Sequence, residues 1–255
     1  MSMAKKTARR PTAFVTGASQ GIGAAVALAL ARDGFDVAVS STRPEKLSGV
    51  LDTITAAGAR ALPVKLELRS QDSIERAMAS VVAEFGALDV LVNNAGLALR
   101  KSALEMTLDE WNDIIGVDLT GTFFMCQQMG RHLIDAKREG CIINLASTHG
   151  MVAMANRSAY GIAKAGIIHL TRMLAIEWAE HGVRVNAVAP GAVVTASRAA
   201  MPATPGHAEK RMARIPLKKL CSVEEVAGAV SYLASPQASY ITGHTLVIDG
   251  GVTAQ

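Results

Sequence analysis

The sequence predicts an α/β fold, a doubly wound parallel sheet with helices on both faces, in a single domain. Two observations carry this. Short apolar, β-branched runs alternate with longer Ala/Leu-rich segments from end to end, the order expected of a parallel sheet whose crossovers are helices. No linker, repeat or composition break divides the 255 residues. Half of them are hydrophobic and 19% are charged, so the chain can bury enough surface to fold and disorder is excluded as its main state.

The elements follow in order. Thr12 to Thr16 reads as a first strand and is followed by a Gly-rich turn and a helix from Ile22 to Arg32, which Gly34 ends. Val37 to Ser40 is a second strand. Pro44 starts a helix, as proline does at a first turn, and the helix runs to Gly58. Ala61 to Leu66 is a strand, Ser73 to Phe85 a helix, and Leu88 to Val92 a fourth strand. Thr107 and Glu110 form a capping box for one long helix reaching about Ile134. Cys141 to Leu145 is a strand, Ser158 to Glu180 a helix, and Val183 to Val188 a sixth strand. Residues 191–216, with Pro202, Pro205, Gly206 and Pro216, are irregular. Ser222 caps a helix to Leu233, and Thr245 to Ile248 closes the series.

Charge and cysteine usage narrow the function classes. The formal net charge is +4, and Lys5, Lys6, Arg9 and Arg10 account for all of it. The remaining body is neutral, which argues against a nucleic-acid-binding face. Residues 1–10 read as a flexible basic tail without the apolar stretch of a secretory signal. The longest apolar run, Ala24 to Ala31, is far short of the ~20 residues that span a bilayer, so no membrane role is expected. Cys126, Cys141 and Cys221 are three in number and far apart. They form no C-x-x-C, and the histidines show no H-E-x-x-H. Neither a disulfide framework nor a metal site is indicated, and a reducing, cytoplasmic setting is expected.

The turn after the first strand reads Thr16-Gly17-Ala18-Ser19-Gln20-Gly21-Ile22-Gly23. Glycines there let the backbone approach a pyrophosphate without a Cβ. The helix that follows offers unpaired N–H groups and the positive end of its dipole. The spacing is G-x-x-x-G-x-G, not the general G-x-G-x-x-G, and a plain strand–helix junction is the competing reading.

Further along stand Asn93-Asn94-Ala95-Gly96 after the fourth strand, Ser147 just past the fifth, and Tyr160-Gly161-Ile162-Ala163-Lys164 on a helix. Pro190-Gly191 follows the sixth strand. In this order and spacing the chain, from residue 11 to 251, resembles the short-chain dehydrogenase/reductase family. The resemblance implies a sheet of about seven strands, a nicotinamide cofactor and, from the Tyr240–Gly243 and Asp249–Gly251 ending, a homotetramer. It implies catalytic roles for Ser147, Tyr160 and Lys164. Tyr160 and Lys164 are i and i+4 and share a helix face. A free phenol ionises near pH ~10, and a neighbouring ammonium favours the phenolate. Tyr160 is then the general acid/base for a carbonyl or alcohol oxygen, which Ser147 hydrogen-bonds. Where the family has asparagine in a V-N-L-x-G-x-F stretch, this chain has Val117-Asp118-Leu119-Thr120-Gly121-Thr122-Phe123. Asp118 keeps an acceptor but loses the amide donor; it is the candidate fourth member.

By the same resemblance the cofactor is held by Gly17, Ser19, Gln20, Gly21, Ile22, Gly23, Asn93, Asn94, Ala95, Gly96, Tyr160, Lys164, Pro190 and Gly191. Glu67 and Leu68 stand where an acid and an apolar residue usually meet the adenine. NAD-preferring members carry an acid at the end of the second strand. Here that place reads Ser40-Ser41-Thr42-Arg43. Nothing there repels a 2′-phosphate and Arg43 offers a partner, so NADP(H) is expected, with NAD(H) the alternative. His149 and Arg157 flank Ser147 and Tyr160 as hydroxybutyrate-type members do, and suit a carboxylate-bearing substrate. Residues 191–216 resemble the family's substrate lid, to which Arg198, Lys210, Arg211 and Arg214 add positive charge. The expected activity is hydride transfer between NADP(H) and a carbonyl or secondary alcohol. The rivals are a 3-oxoacyl-[acyl-carrier-protein] reductase and a non-catalytic dinucleotide-binding redox sensor.

Overall fold

The computed structural model describes residues 9–195 and 212–255. Within them seven parallel strands form one sheet: β1 (Thr12–Val15), β2 (Asp36–Ser41), β3 (Ala61–Lys65), β4 (Val90–Asn93), β5 (Gly140–Leu145), β6 (Val183–Pro190) and β7 (Thr245–Ile248). Their spatial order is β3-β2-β1-β4-β5-β6-β7. The described helices are α1 (Gly21–Arg32), α2 (Ser48–Ala56), α3 (Gln71–Phe85), α4 (Leu108–Ile114), α5 (Thr122–Asp135), α6 (Ser158–Trp178) and α7 (Val223–Ala234). The expected doubly wound sheet in one domain is what the chain forms.

The two faces of the sheet pack separately, as the period-two alternation of a strand requires. Ala13 and Val15 of β1 join Val26 and Leu30 of α1 and Val230 and Leu233 of α7 in one apolar layer. Phe14, between them in sequence, joins Val81 of α3 and Met125 and Met129 of α5 in the other. β1 pairs with both β2 and β4, so the winding direction reverses between β1 and β4. Ligands of such sheets sit in the crevice at that reversal, beyond the carboxyl ends of the strands. The Gly17 turn and residues 94–96 lie at those ends.

Local chemistry sets the element ends. Capping boxes start α4, with Thr107 and Glu110, and α7, with Ser222 and Glu225. Ser70 caps α3 through Ser73 N–H. Pro44 opens a 3₁₀ turn, Pro44–Leu47, before α2 begins at Ser48. The long helix expected from Thr107 to Ile134 is interrupted. Ile115–Gly121 is π-helical, one residue per turn too many for the α register. Apolar periodicity does not reveal this, because the stretch runs on directly between two α-helical segments. π stretches of this kind are common at functional positions, and Asp118 lies in this one.

Of the basic tail, residues 1–8 lie outside the described residues, as do Arg198, Lys210 and Arg211 and most of the expected lid. Arg9 and Arg10 are tied down. Arg9 pairs with Asp89 at 2.8 Å, and Arg10 donates to the carbonyls of Gly34 and Gly58. Both anchor the amino-terminal end of β1, opposite the site. Among the described residues no helix is long and apolar enough to cross a membrane.

Candidate active site

The glycine turn is shaped by contact. A Cβ on Gly17, whose φ is +64°, would lie 2.7 Å from the Cα of Ala95. A Cβ on Gly23 would lie 2.5 Å from Asn94 Nδ2 and 2.6 Å from the Gly17 carbonyl. Only glycine fits either place. The turn is then pinned from two sides. Ala18 N–H donates to the Ser40 carbonyl at 2.9 Å. Asn94 Nδ2 donates to the carbonyls of Thr16 and Gly17, both at 2.9 Å, and Thr16 Oγ1 accepts from the N–H groups of Asn94 and Ala95, both at 3.0 Å. Asn94 therefore braces the turn from within. Gln20 precedes α1 in extended conformation with no side-chain cap, and no acid stands in the helix's first turn. The amino end of α1 is left able to receive an anion. Ser19 is half-buried and Gln20 exposed beside it.

Around this turn the other expected cofactor residues divide. Ser41 Oγ accepts from Arg43 N–H at 3.1 Å, while the exposed Arg43 side chain has no partner among the described residues. The one acid of β2, Asp36, sits at the far end of the strand and accepts from Arg60 N–H. Glu67 is turned onto Arg69, whose other arm reaches Asp113 at 2.5 Å. Leu68 is buried in the core against Gly121. Asn93 is the last residue of β4, and its side chain points inward, donating to Asn144 Oδ1 at 2.9 Å. Asn144 in turn donates to Thr171 at 3.0 Å, beside Cys126, whose thiol burial pushes up to about 12. Asn144 and Thr171 gave no local signal in the sequence, since a polar residue in a strand or helix does not reveal its partner. Gly191 N–H pairs with the Ile248 carbonyl at 2.9 Å, continuing the β6–β7 ladder to the cleft.

The catalytic candidates are brought together by a second close approach. Ser147 caps a 3₁₀ turn, Thr148–Gly150, its hydroxyl oxygen accepting from His149 N–H at 3.2 Å. That leaves the hydroxyl proton to be donated elsewhere. A Cβ on Gly150 would lie 2.6 Å from the backbone of Lys164, and one on Gly161 3.0 Å from the His149 carbonyl. Glycine at both positions lets the turn lie flat on α6, which places Ser147 beside the helix that carries Tyr160 and Lys164. Lys164 is buried, 5% exposed. Its ammonium lies 5.6 Å from the Tyr160 ring centre and donates to the Leu145 carbonyl at 3.0 Å. It also pairs with Asp118 Oδ2 at 3.1 Å. Two more basic groups border the phenol. The His149 ring stands edge-on at 5.9 Å, and the Arg157 guanidinium lies 5.8 Å from the ring centre while donating to the Leu99 carbonyl at 3.1 Å. A phenol, two cations, an imidazole and a serine hydroxyl thus share one end of the sheet with the glycine turn.

Comparison with known proteins agrees with this arrangement. The chain matches the family model described as enoyl-(acyl carrier protein) reductase over residues 17–253. It is 43% identical over 243 residues to cis-4-hydroxycyclohexanecarboxylate dehydrogenase of Sinomonas cyclohexanicum, covering 95% of this chain and 96% of that one. It is 38% identical over 242 residues to 3-oxoacyl-[acyl-carrier-protein] reductase FabG of Staphylococcus aureus, covering 94% and 97%. A solved structure from Agrobacterium tumefaciens, a candidate 2-deoxy-d-gluconate 3-dehydrogenase with bound NADP, superposes with a TM-score of 0.89 at 32% identity, covering 97% and 98%. The chain belongs to the short-chain dehydrogenase/reductase family. It is an oxidoreductase that transfers hydride between a nicotinamide dinucleotide and a carbonyl or alcohol substrate.

Proposed function

We propose that the protein is an NADP(H)-dependent reductase and dehydrogenase of a small carbonyl/secondary-alcohol pair, with Tyr160, Ser147 and Lys164 as its catalytic residues. The observation that carries this is Lys164: a buried ammonium held against the ring of Tyr160, with the Ser147 turn packed on the same helix. The dinucleotide, when bound, supplies or accepts the hydride. Tyr160 gives its proton to the carbonyl oxygen in reduction and takes it back in oxidation. Ser147 donates a hydrogen bond to that oxygen and steadies its developing charge. Lys164 favours the phenolate through its charge. With one N–H on the Leu145 carbonyl, it keeps donors for the cofactor's ribose.

The residues present fit a dinucleotide. Gly17, Ser19, Gln20, Gly21, Ile22 and Gly23 form a cradle that a Cβ would fill. Asn93, Asn94, Ala95, Gly96, Pro190 and Gly191 wall the cleft, with Asn93 confined to backbone contact. Glu67 and Leu68 border the adenine side only through their backbones in this arrangement. Arg43 is assigned to the 2′-phosphate, because it is exposed, its side chain has no partner among the described residues, and no acid stands at the end of β2. Arg43→Ala is expected to weaken NADPH roughly ten- to a hundredfold, the range of a charge-assisted hydrogen bond, and to spare NADH. Fluorescence titration with both cofactors checks this, and an equal loss of both would contradict it.

For the substrate we favour a carboxylate-bearing ketone or alcohol, held through His149 and Arg157. Both side chains lie beside Tyr160, and a relative at 43% identity is named for a hydroxy acid. Arg157→Ala is expected to raise KM for 4-oxocyclohexanecarboxylate while leaving KM for cyclohexanone in place. A parallel rise for both would assign Arg157 to holding the Leu99 loop instead. A 3-oxoacyl-[acyl-carrier-protein] reductase is the second reading, favoured by the FabG relative. Turnover of a 3-oxoacyl thioester in preference to free keto acids distinguishes it. We further assign the protein to the cytoplasm as a homotetramer; the exposed Met173, Ile176 and Tyr240 are apolar surface that assembly would cover.

A further inference from the structure

We propose that Asp118 is a positioning residue, a buried counter-ion that sets the charge Tyr160 experiences by pairing directly with Lys164. This rests on the assignment of Tyr160 as acid/base.

Asp118 is fully buried in the π-helical stretch, and its two oxygens have different neighbours. Oδ1 accepts from Leu97 N–H at 2.6 Å, and Oδ2 lies 3.1 Å from the Lys164 ammonium as an ion pair, with no hydrogen bond of its own among the described residues. Gly96 rests on the same carboxylate, since a Cβ there would come within 3.0 Å of Oδ2. An amide has one oxygen and two N–H donors, so an amide accepting from Leu97 would turn a donor toward the Lys164 ammonium. A donor on one oxygen and an ammonium beside the other are the environment of a carboxylate. Asp118 lies in the π-helical stretch, between the loop after β4 and the first third of α6. The residue thereby ties the cofactor side of the cleft to the catalytic helix.

The pairing alters the electrostatics of the phenol. Among the described residues, the charged and titratable groups facing Tyr160 are Lys164 on its own helix, His149 on the turn after β5, Arg157 on the loop before α6, and Asp118 behind Lys164. Three are basic and Asp118 is the acid among them. With Asp118 ionised, the phenol faces an ion pair rather than a bare ammonium, and the pull toward phenolate is smaller. The burial of the pair limits screening by solvent and salt, so the offset persists at physiological ionic strength.

Removing the negative charge without changing the volume therefore lets the phenolate form at lower pH. In Asp118→Asn the rising limb of kcat for alcohol oxidation is expected to move to lower pH by ~1 unit, the low end of what one nearby charge contributes. A direct reading comes from carbon NMR of ring-labelled tyrosine. The chain has three tyrosines, and the Tyr160 resonance is the one absent in Tyr160→Phe. In Asp118→Asn with NADP⁺ bound, the Tyr160 resonance should titrate ~1 unit below its wild-type midpoint. Asp118→Ser removes the charge without restoring an amide and should move the midpoint the same way. A Tyr160 midpoint unchanged in whichever variant folds and binds NADP⁺ would overturn the proposal. A merely structural Asp118 would lower stability and leave that midpoint in place. Undiminished turnover in Tyr160→Phe would instead remove the acid/base assignment, and the tyrosine titration would still decide the pairing.

Discussion

Tyr160→Phe is expected to bind NADPH as the wild type does and to lose about 10²- to 10⁴-fold in kcat, the usual contribution of a positioned acid/base. The substitution removes one oxygen from a ring that stays in contact with Lys164, His149 and Arg157. It creates no cavity and breaks none of the hydrogen bonds that brace the glycine turn. Folding and cofactor affinity should therefore hold while proton transfer fails. Steady-state NADPH oxidation, paired with a binding titration, separates the two. Loss of binding together with turnover would show that the ring shapes the cofactor site; retained turnover would move the proton to another group.

Gly23→Ala is expected to have the second largest effect, now on cofactor binding. In an exposed helix the change would be stabilising, because alanine has the higher helix propensity. Here the added methyl meets Asn94 Nδ2 and the Gly17 carbonyl well inside contact distance. It separates Asn94 from both carbonyls that hold the turn. Overpacking of this kind costs about 1–3 kcal/mol. If the strain is relieved by opening the turn, the Kd for NADPH rises by about five- to a hundredfold. Gly49→Ala in α2 is the control, since nothing lies within 4 Å of the position its Cβ would take. Equal NADPH affinity in Gly23→Ala and Gly49→Ala would contradict the account of the turn.

Much of this arrangement was legible before any coordinates. The alternation of elements predicts the sheet, and the capping boxes at Thr107 and Ser222 mark helix starts because a cap is a local pattern. Gly17, Gly21 and Gly23 mark the cradle because a missing Cβ at fixed spacing has few other uses. What was not legible depends on contacts between distant segments. Asn94 reads as a cleft residue, yet its amide is spent on Thr16 and Gly17. Asn93 reads the same way and instead joins Asn144 and Thr171 in the interior. Glu67 turns to Arg69 because a guanidinium two residues away is within reach of its longer side chain. Arg9 and Arg10 belong by composition to a tail but are held by Asp89, Gly34 and Gly58. The π register around Asp118 leaves no trace in the hydrophobic pattern, so the direct pairing of Asp118 with Lys164 emerges only in three dimensions.

The most direct test is a crystal structure of the complex with NADP⁺. The account predicts the nicotinamide between the glycine turn and α6, its ribose on Lys164, the Tyr160 hydroxyl beside the reactive face of the ring, and the 2′-phosphate on Arg43. A nicotinamide lying elsewhere, with the Tyr160 hydroxyl and the Lys164 ammonium both out of its reach, would contradict it.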